Sequence, residues 1–171
     1  EKRLEPLTRY QAIDLLLGLQ KTDRYGQTFS KPLQQLLRDY VVQHGKLLVS
    51  GSYAASDQRS EPDRQFLSDV FKVESVSCDS CHAGETVYAV RDSFDIFRTP
   101  NADHYAATSV NALQPLDGAA TVLQYNDGQP AATCYLGPNY RAWFMGFPFE
   151  CIRQRSQRTM LMRTIMQQLF Q

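Results

Sequence analysis

The chain has 171 residues, enough for one domain with a substantial core. Eighteen basic and eighteen acidic residues leave a formal net charge of zero, which argues against a nucleic-acid-binding surface. Hydrophobic residues make up 43%, the mean hydropathy is −0.41, and no apolar run approaches bilayer-spanning length, so no membrane segment is expected.

The opening EKRLEPLTRY has no apolar stretch of the signal-peptide kind. Either a leader has been removed or the chain is a piece of something longer. Ala12 to Leu17, AIDLLL, is a short apolar run ended by Gly18, and its length favours a strand. Gln20 to Phe29 reads as loop. Ser30 then caps a helix with Pro32 in its first turn, and Leu33, Leu36, Leu37, Tyr40 and Val41 form one apolar face. Gly45 is placed to end it in the left-handed conformation.

Lys46 to Val49 follows at once. An apolar run without polar alternation suits a strand buried on both faces, so strand, helix and strand form a parallel βαβ unit. Ser50, Gly51, Ser52 and Tyr53 make the turn at its C-terminal end, where α/β sheets gather ligands and chemistry. Ser60 and Asp63 cap the next helix, with Phe66, Leu67, Val70 and Phe71 as its buried stripe.

From Val73 the period changes. Thr86 to Val90 has strand composition, and Phe94 to Gly118 is irregular. Val122 to Tyr125, the turn pair Asp127-Gly128, and Ala131 to Leu136 form a hairpin signal. Residues 73–138 are therefore read as a β-rich, antiparallel insertion within a single α/β domain spanning residues 1–171. Ala142 to Phe147 is again a buried strand. A last helix begins near Arg155, with Leu161, Met162, Ile165, Met166 and Leu169 on one face.

The runs IDLLLGLQ, TFSKPLQQLLRDYVVQHGKLLVSGSYAASD and RAWFMGFPFECI resemble a domain of secreted bacterial multidomain proteins labelled xanthan lyase-like. That domain is similar to the class I glutamine amidotransferase-like fold. The resemblance implies a three-layer flavodoxin-like parallel sheet, here lacking its first βα units. It also implies a secreted or periplasmic setting. An active member needs a Cys in the elbow turn and a His base after the last strand. This chain has the elbow Ser50-Gly51-Ser52-Tyr53 and, at the acid's place, Glu150; the nucleophile and the base are missing. The expectation is thus a non-catalytic structural or interaction domain of a larger secreted protein. Its partners would be neighbouring domains or a second copy, with no nucleic acid and no membrane, and the apolar Ala12 to Leu17 strand would be covered by one of them or by the segment Glu1 to Arg9 folding back over it.

Four constellations offer alternatives. Ser50 or Ser52 would serve a hydrolase if His82 or His104 supplied the base, whereas His44 lies before the elbow strand, at the wrong edge. Cys78, Cys81 and His82 match the spacing of c-type haem attachment, and with Cys134 or Cys151 would suit zinc. The plainer reading is free thiols or a disulfide, with no cofactor and no metal. Asp57 and Glu150 are a candidate carboxylate pair, with capping the plainer role. Tyr53, Tyr140, Trp143, Phe144, Phe147 and Phe149 are read mainly as core, with Tyr53 and Tyr140 the candidates for carbohydrate contact.

Overall fold

The computed structural model describes residues 7–24, 26–76, 86–90 and 92–171. Three helices and nine strands follow one another: β1 (Ile13–Gly18), α1 (Lys31–Val42), β2 (Lys46–Gly51), α2 (Glu61–Phe71), β3 (Val73–Val76), β4 (Thr86–Tyr88), β5 (Ser93–Asp95), β6 (Ala112–Pro115), β7 (Ala119–Tyr125), β8 (Pro130–Leu136), β9 (Arg141–Met145) and α3 (Arg155–Phe170). Short 3-10 turns lie at Leu7–Arg9 and Phe149–Cys151. No described helix is long and apolar enough to cross a membrane.

The main sheet has seven strands in the order β1-β2-β9-β8-β7-β4-β5, and β3 and β6 form a separate antiparallel ribbon. Only β1, β2 and β9 run parallel. β8 meets β9 antiparallel, and β7, β4 and β5 continue in that sense. This corrects the expectation of a three-layer flavodoxin-like parallel sheet: the sheet is mixed, its seven strands curl into a half-barrel, and among the described residues only three helices accompany it. The cause is the β7–β8 hairpin. It occupies the position beside β9 that a further parallel strand would take, and hairpins need no crossover helices. The β-rich stretch 73–138 supplies β3 to β8; four of these complete the main sheet and two form the ribbon.

The βαβ unit forms as the apolar pattern dictates. Ser30 accepts the Leu33 amide, and Leu37, Tyr40 and Val41 are buried. The helix end differs in one residue. His44, not Gly45, takes the left-handed conformation (φ 62°). Gly45 is required for a different reason, because a Cβ there would run into the ring and carbonyl oxygen of Tyr40. At the hairpin the Gly128 amide donates to the Tyr125 carbonyl at 2.9 Å, so the turn centres on Asn126 and Asp127, and Gly128, with φ 82°, is the left-handed third residue of the loop rather than half of a two-residue Asp-Gly turn.

Two cores flank the parallel strands. Leu47, Val49, Ala142 and Phe144 face α1 and α2, where Phe29, Phe66, Phe71 and Phe144 pack with ring centroids 5.0 to 6.1 Å apart. Leu48, Trp143 and Met145 face the other way, against Leu161, Ile165 and Leu169 of α3 and the inner side of the curl. Met162 and Met166, read as part of the α3 stripe, are half-buried and exposed. The hydrophobic stripe is therefore narrow, and Gln168 completes the contact by accepting from Trp143 Nε1 at 3.0 Å.

The two helices on the first face are tied through Asp63. Its carboxylate accepts from Lys31 at 2.5 Å and from Gln34 at 2.7 Å, both on α1, and from the Ser60 hydroxyl of its own cap. Burial alone would raise its pKa; the hydrogen bonds from Lys31, Ser60 and Gln34 and the charge of Lys31 outweigh this and hold it at about 2. Because the folded pKa is depressed, the stabilisation is complete above the unfolded value of about 4 and is lost as pH falls towards 2. We expect Asp63→Asn to cost on the order of 1 kcal/mol at pH 7, reduced from the full shift by solvent screening. Urea unfolding of the two proteins should converge near pH 2, and a difference unchanged from pH 7 to pH 2 would contradict the assignment.

Candidate functional site

The C-terminal ends of β1, β2 and β9 converge where the sequence places its elbow. β2 ends at Gly51, where a Cβ would lie 2.9 Å from that of Leu17, so only glycine lets β1 and β2 stay this close. The chain turns through residues 52–57, and α2 begins behind the Ser60 cap. Ser50 and Ser52 are fully buried, and neither hydroxyl has a hydrogen-bond partner among the described residues. Tyr53 is half-buried, with the Lys21 ammonium 5.6 Å from its ring centre.

No described histidine serves either serine. His44 sits at the exit of α1, at the opposite end of β2. His104 stacks on Phe97 with centroids 3.4 Å apart, and its ring nitrogens meet Asn101 and the Tyr105 carbonyl. Cys78, Cys81 and His82 lie outside the described residues. Cys134 and Cys151 are both buried free thiols; burial raises the first, and burial followed by the Glu150 charge pushes the second up to about 11. Such thiols are poor nucleophiles near neutral pH.

The two carboxylates read as a pair have separate partners. Asp57 accepts the Thr22 amide at 2.6 Å and the Thr28 hydroxyl at 2.5 Å, tying the elbow turn to the loop after β1. Glu150, on the 3-10 turn after β9, accepts the Tyr105 hydroxyl through Oε1. Burial, then the hydrogen bond and charge of Glu150, drives the Tyr105 hydroxyl far above its ordinary pKa. The carboxyl of Asp14 on β1 is raised, first by partial desolvation and then by the Glu150 charge. Asp14 is visible in the sequence as the one charge in an apolar strand; Tyr105, in an irregular stretch, gives no signal.

Of the aromatic set, Trp143, Phe144 and Phe147 are core. Tyr140 is half-buried and donates to the Asp69 carbonyl at 2.8 Å, with the Tyr135 ring 4.7 Å away. A polar cleft of about 750 Å³ opens beside the elbow turn, lined by Ser56, Arg59, Glu61, Arg64, Glu74 and Asn111 among others.

Asn111 holds this region together. Its Oδ1 accepts the amides of Ala55 and Ser56 at 2.9 and 3.2 Å, and its Nδ2 donates to the Ser56 hydroxyl at 2.9 Å. Its own amide donates to the Gly146 carbonyl at 2.7 Å, and its carbonyl accepts from Tyr125 at 3.1 Å.

No family model and no curated protein matches this chain. Its fold recurs in solved structures at low sequence identity. A polyextremophilic beta-galactosidase from Halorubrum lacusprofundi matches at TM-score 0.61 and 17% identity over 96% of this chain and 23% of its own. A beta-galactosidase from Bacillus circulans sp. alkalophilus matches at 0.59 and 11% identity over 95% of this chain and 23% of its own. Cytoplasmic protein STM1381 from Salmonella typhimurium LT2 matches at 0.59 and 14% identity over 94% of this chain and 73% of its own. The chain thus spans under a quarter of the length of these galactosidases. These likenesses correct the xanthan lyase-like and class I glutamine amidotransferase-like resemblance: the neighbours include beta-galactosidase domains and the STM1381 chain. The quoted runs encode a short βαβ unit and the strand β9, which many folds share, and leave out β3 to β8.

Asn111→Ala is expected to lower stability by roughly 2–4 kcal/mol, because it strips the Ala55 and Ser56 amides of their acceptor in a site that is mostly closed to water. Denaturant unfolding would measure it, and a change under about 0.5 kcal/mol, the scale of an ordinary surface substitution, would mean that water replaces the side chain.

Proposed function

We propose that this chain is a non-catalytic structural or interaction domain of a larger polypeptide, joined to a neighbouring domain or a second copy through β1. One observation carries the reading. β1 stands at the edge of the main sheet, with β2 as its single strand neighbour among the described residues. Leu16 on it is 54% exposed, and Leu19 and Tyr10 beside it are exposed as well. An apolar edge strand offers both unpaired backbone groups and a greasy surface, and natural proteins normally blunt or cover such edges. The modest share of each matched galactosidase taken up by this fold supports a modular role. So does the buried, unpartnered state of the elbow serines, which gives a substrate no hydroxyl to meet.

The test is amide exchange in the polypeptide that carries this chain, with mass measured by light scattering. The Ile13 to Leu17 amides should be protected well beyond what pairing to β2 alone provides. Leu16→Lys should abolish that extra protection, and any self-association with it, while leaving the circular dichroism unchanged. Free exchange of those amides in a strictly monomeric wild-type protein would remove the basis of the proposal. Export of the parent polypeptide to the periplasm or beyond is part of the same reading, and cell fractionation checks it.

A further inference from the structure

Between α3 and the curled half of the main sheet lies a groove of about 510 Å³. The build of α3 and of β7 creates it. α3 packs Leu161, Ile165 and Leu169 against the core side of β9, and that narrow stripe leaves the inner side of β7 and of the β4–β5 turn uncovered. In β7, Thr121 pairs with Thr133 and Leu123 with Ala132, which leaves Val122 as an extra residue in the ladder. Such a bulge bends its strand and re-aims side chains. Here Thr121, Val122 and Leu123 all line the groove.

The floor is closed, with Trp143 and Leu123 each 1% exposed, and the rim is open and apolar, with Val90 94% and Met160 47% exposed. Several polar groups along it are already engaged. Gln157 at one end donates to the Ser93 carbonyl at 3.2 Å, and Gln168 at the other accepts from Trp143 Nε1 at 3.0 Å. Between them the Thr164 hydroxyl turns back to the Met160 carbonyl of its own helix at 3.2 Å. Gln157 Oε1 has no partner, but it is closed off from solvent. An occupant therefore meets mainly carbon. The two glutamines stand eleven residues apart on α3, about 16 Å of helix. Among the described lining residues Asp92 is the one charge, and its carboxylate accepts the Ser93 amide at 2.8 Å.

Apolar surface gathered in a groove with a polar rim marks a place where something binds. We propose that this groove is a binding site for an elongated, uncharged, apolar small molecule, such as a medium-length alkyl chain or linked aromatic rings, lying along α3. Its volume falls within the roughly 300–1,000 Å³ of small-molecule sites. A protein segment fits it less well. Such a segment brings backbone N–H and C=O groups that must be paired when buried, and the polar side chains here are mostly occupied with one another. Charge decides the head group. Asp92 repels a carboxylate, and no described lining residue is a cation that could receive one. The groove lies towards the β4–β5 end of the sheet, opposite β1, so the proposal does not depend on how β1 is covered.

Trp143 is the single tryptophan of the chain and part of the groove floor, so its emission reports on occupancy. The uncharged apolar dye N-phenyl-1-naphthylamine should quench Trp143 by energy transfer, saturate at one molecule per chain, and be displaced by 1-decanol. Decanoate, with the same chain length and a negative head, should displace it at least tenfold less well. Thr164→Phe fills the groove from an exposed helix position, and Met160→Lys sets a charge on its rim. Each should weaken dye binding tenfold or more while the circular dichroism stays unchanged. Met166→Lys, on the other flank of α3 and outside the groove, should bind as wild type does. Wild-type Trp143 emission that ignores the dye, or a dye signal that decanol does not displace, would overturn the proposal. So would wild-type affinity in both Thr164→Phe and Met160→Lys, or displacement by decanoate as effective as by decanol. Equal weakening in Met166→Lys would do the same, because the dye would then be coating exposed methionines instead of entering a groove.

Discussion

The arrangement of the sheet's C-terminal edge depends on the saturation of one side chain, Asn111. Every polar group it has is engaged, and its partners come from three places: the turn after β2, the end of β9, and β7 through Tyr125. A turn of small residues has no hydrophobic anchor of its own, and its amides cannot be buried unless something accepts them. Asn111 supplies the acceptor and, through its backbone, the registry with Gly146. The fit is close enough that a Cβ on Gly146 would overlap the Asn111 carbonyl. The parallel and antiparallel halves of the molecule are thus locked together by polar contacts at one end, while their apolar faces meet along β9.

β9 has two personalities that its sequence does not distinguish. Trp143 and Met145 face α3, Ala142 and Phe144 face α1 and α2, and one edge pairs parallel while the other pairs antiparallel. A strand apolar on both faces reads the same whichever direction its neighbours run. That is why Ile13 to Gly18, α1, β2, the Asp127-Gly128 hairpin and α3 were legible from local pattern, cap and turn chemistry, but the mixed sheet was not. Strand direction is decided by distant partners, and no residue of Ala142 to Phe147 encodes them.

The site was legible to a similar depth. The strand end at Ser50 follows from where α/β sheets place their loops, whereas Glu150 was singled out only through the amidotransferase-like resemblance that the solved structures overturn. The true neighbours of those residues did not follow. Asp57 was drawn to Thr22 and Thr28 instead of Glu150 because the loop after β1 folds against the elbow. Tyr105 belongs to an irregular stretch that finds its place only through contacts such as Ala107 to Phe97 and Asn111 to Gly146. Gly45 was expected to take the left-handed conformation, which His44 adopts instead; the ring of Tyr40 behind it is the constraint that keeps this position a glycine.

The position of β9 also orders the folding reaction. β7 and β8 are joined by the short turn of residues 126–129, and β8 reaches β9 after a short connection, so these three strands can zip together from local contacts. β2 and β9 pair across a separation of roughly a hundred residues, and the loop-closure entropy of that contact must be met before it contributes anything. The antiparallel meander is accordingly the template on which the βαβ unit docks. Substitutions in the β7–β8 turn should slow refolding, whereas substitutions in the β1–β2 pair should chiefly hasten unfolding.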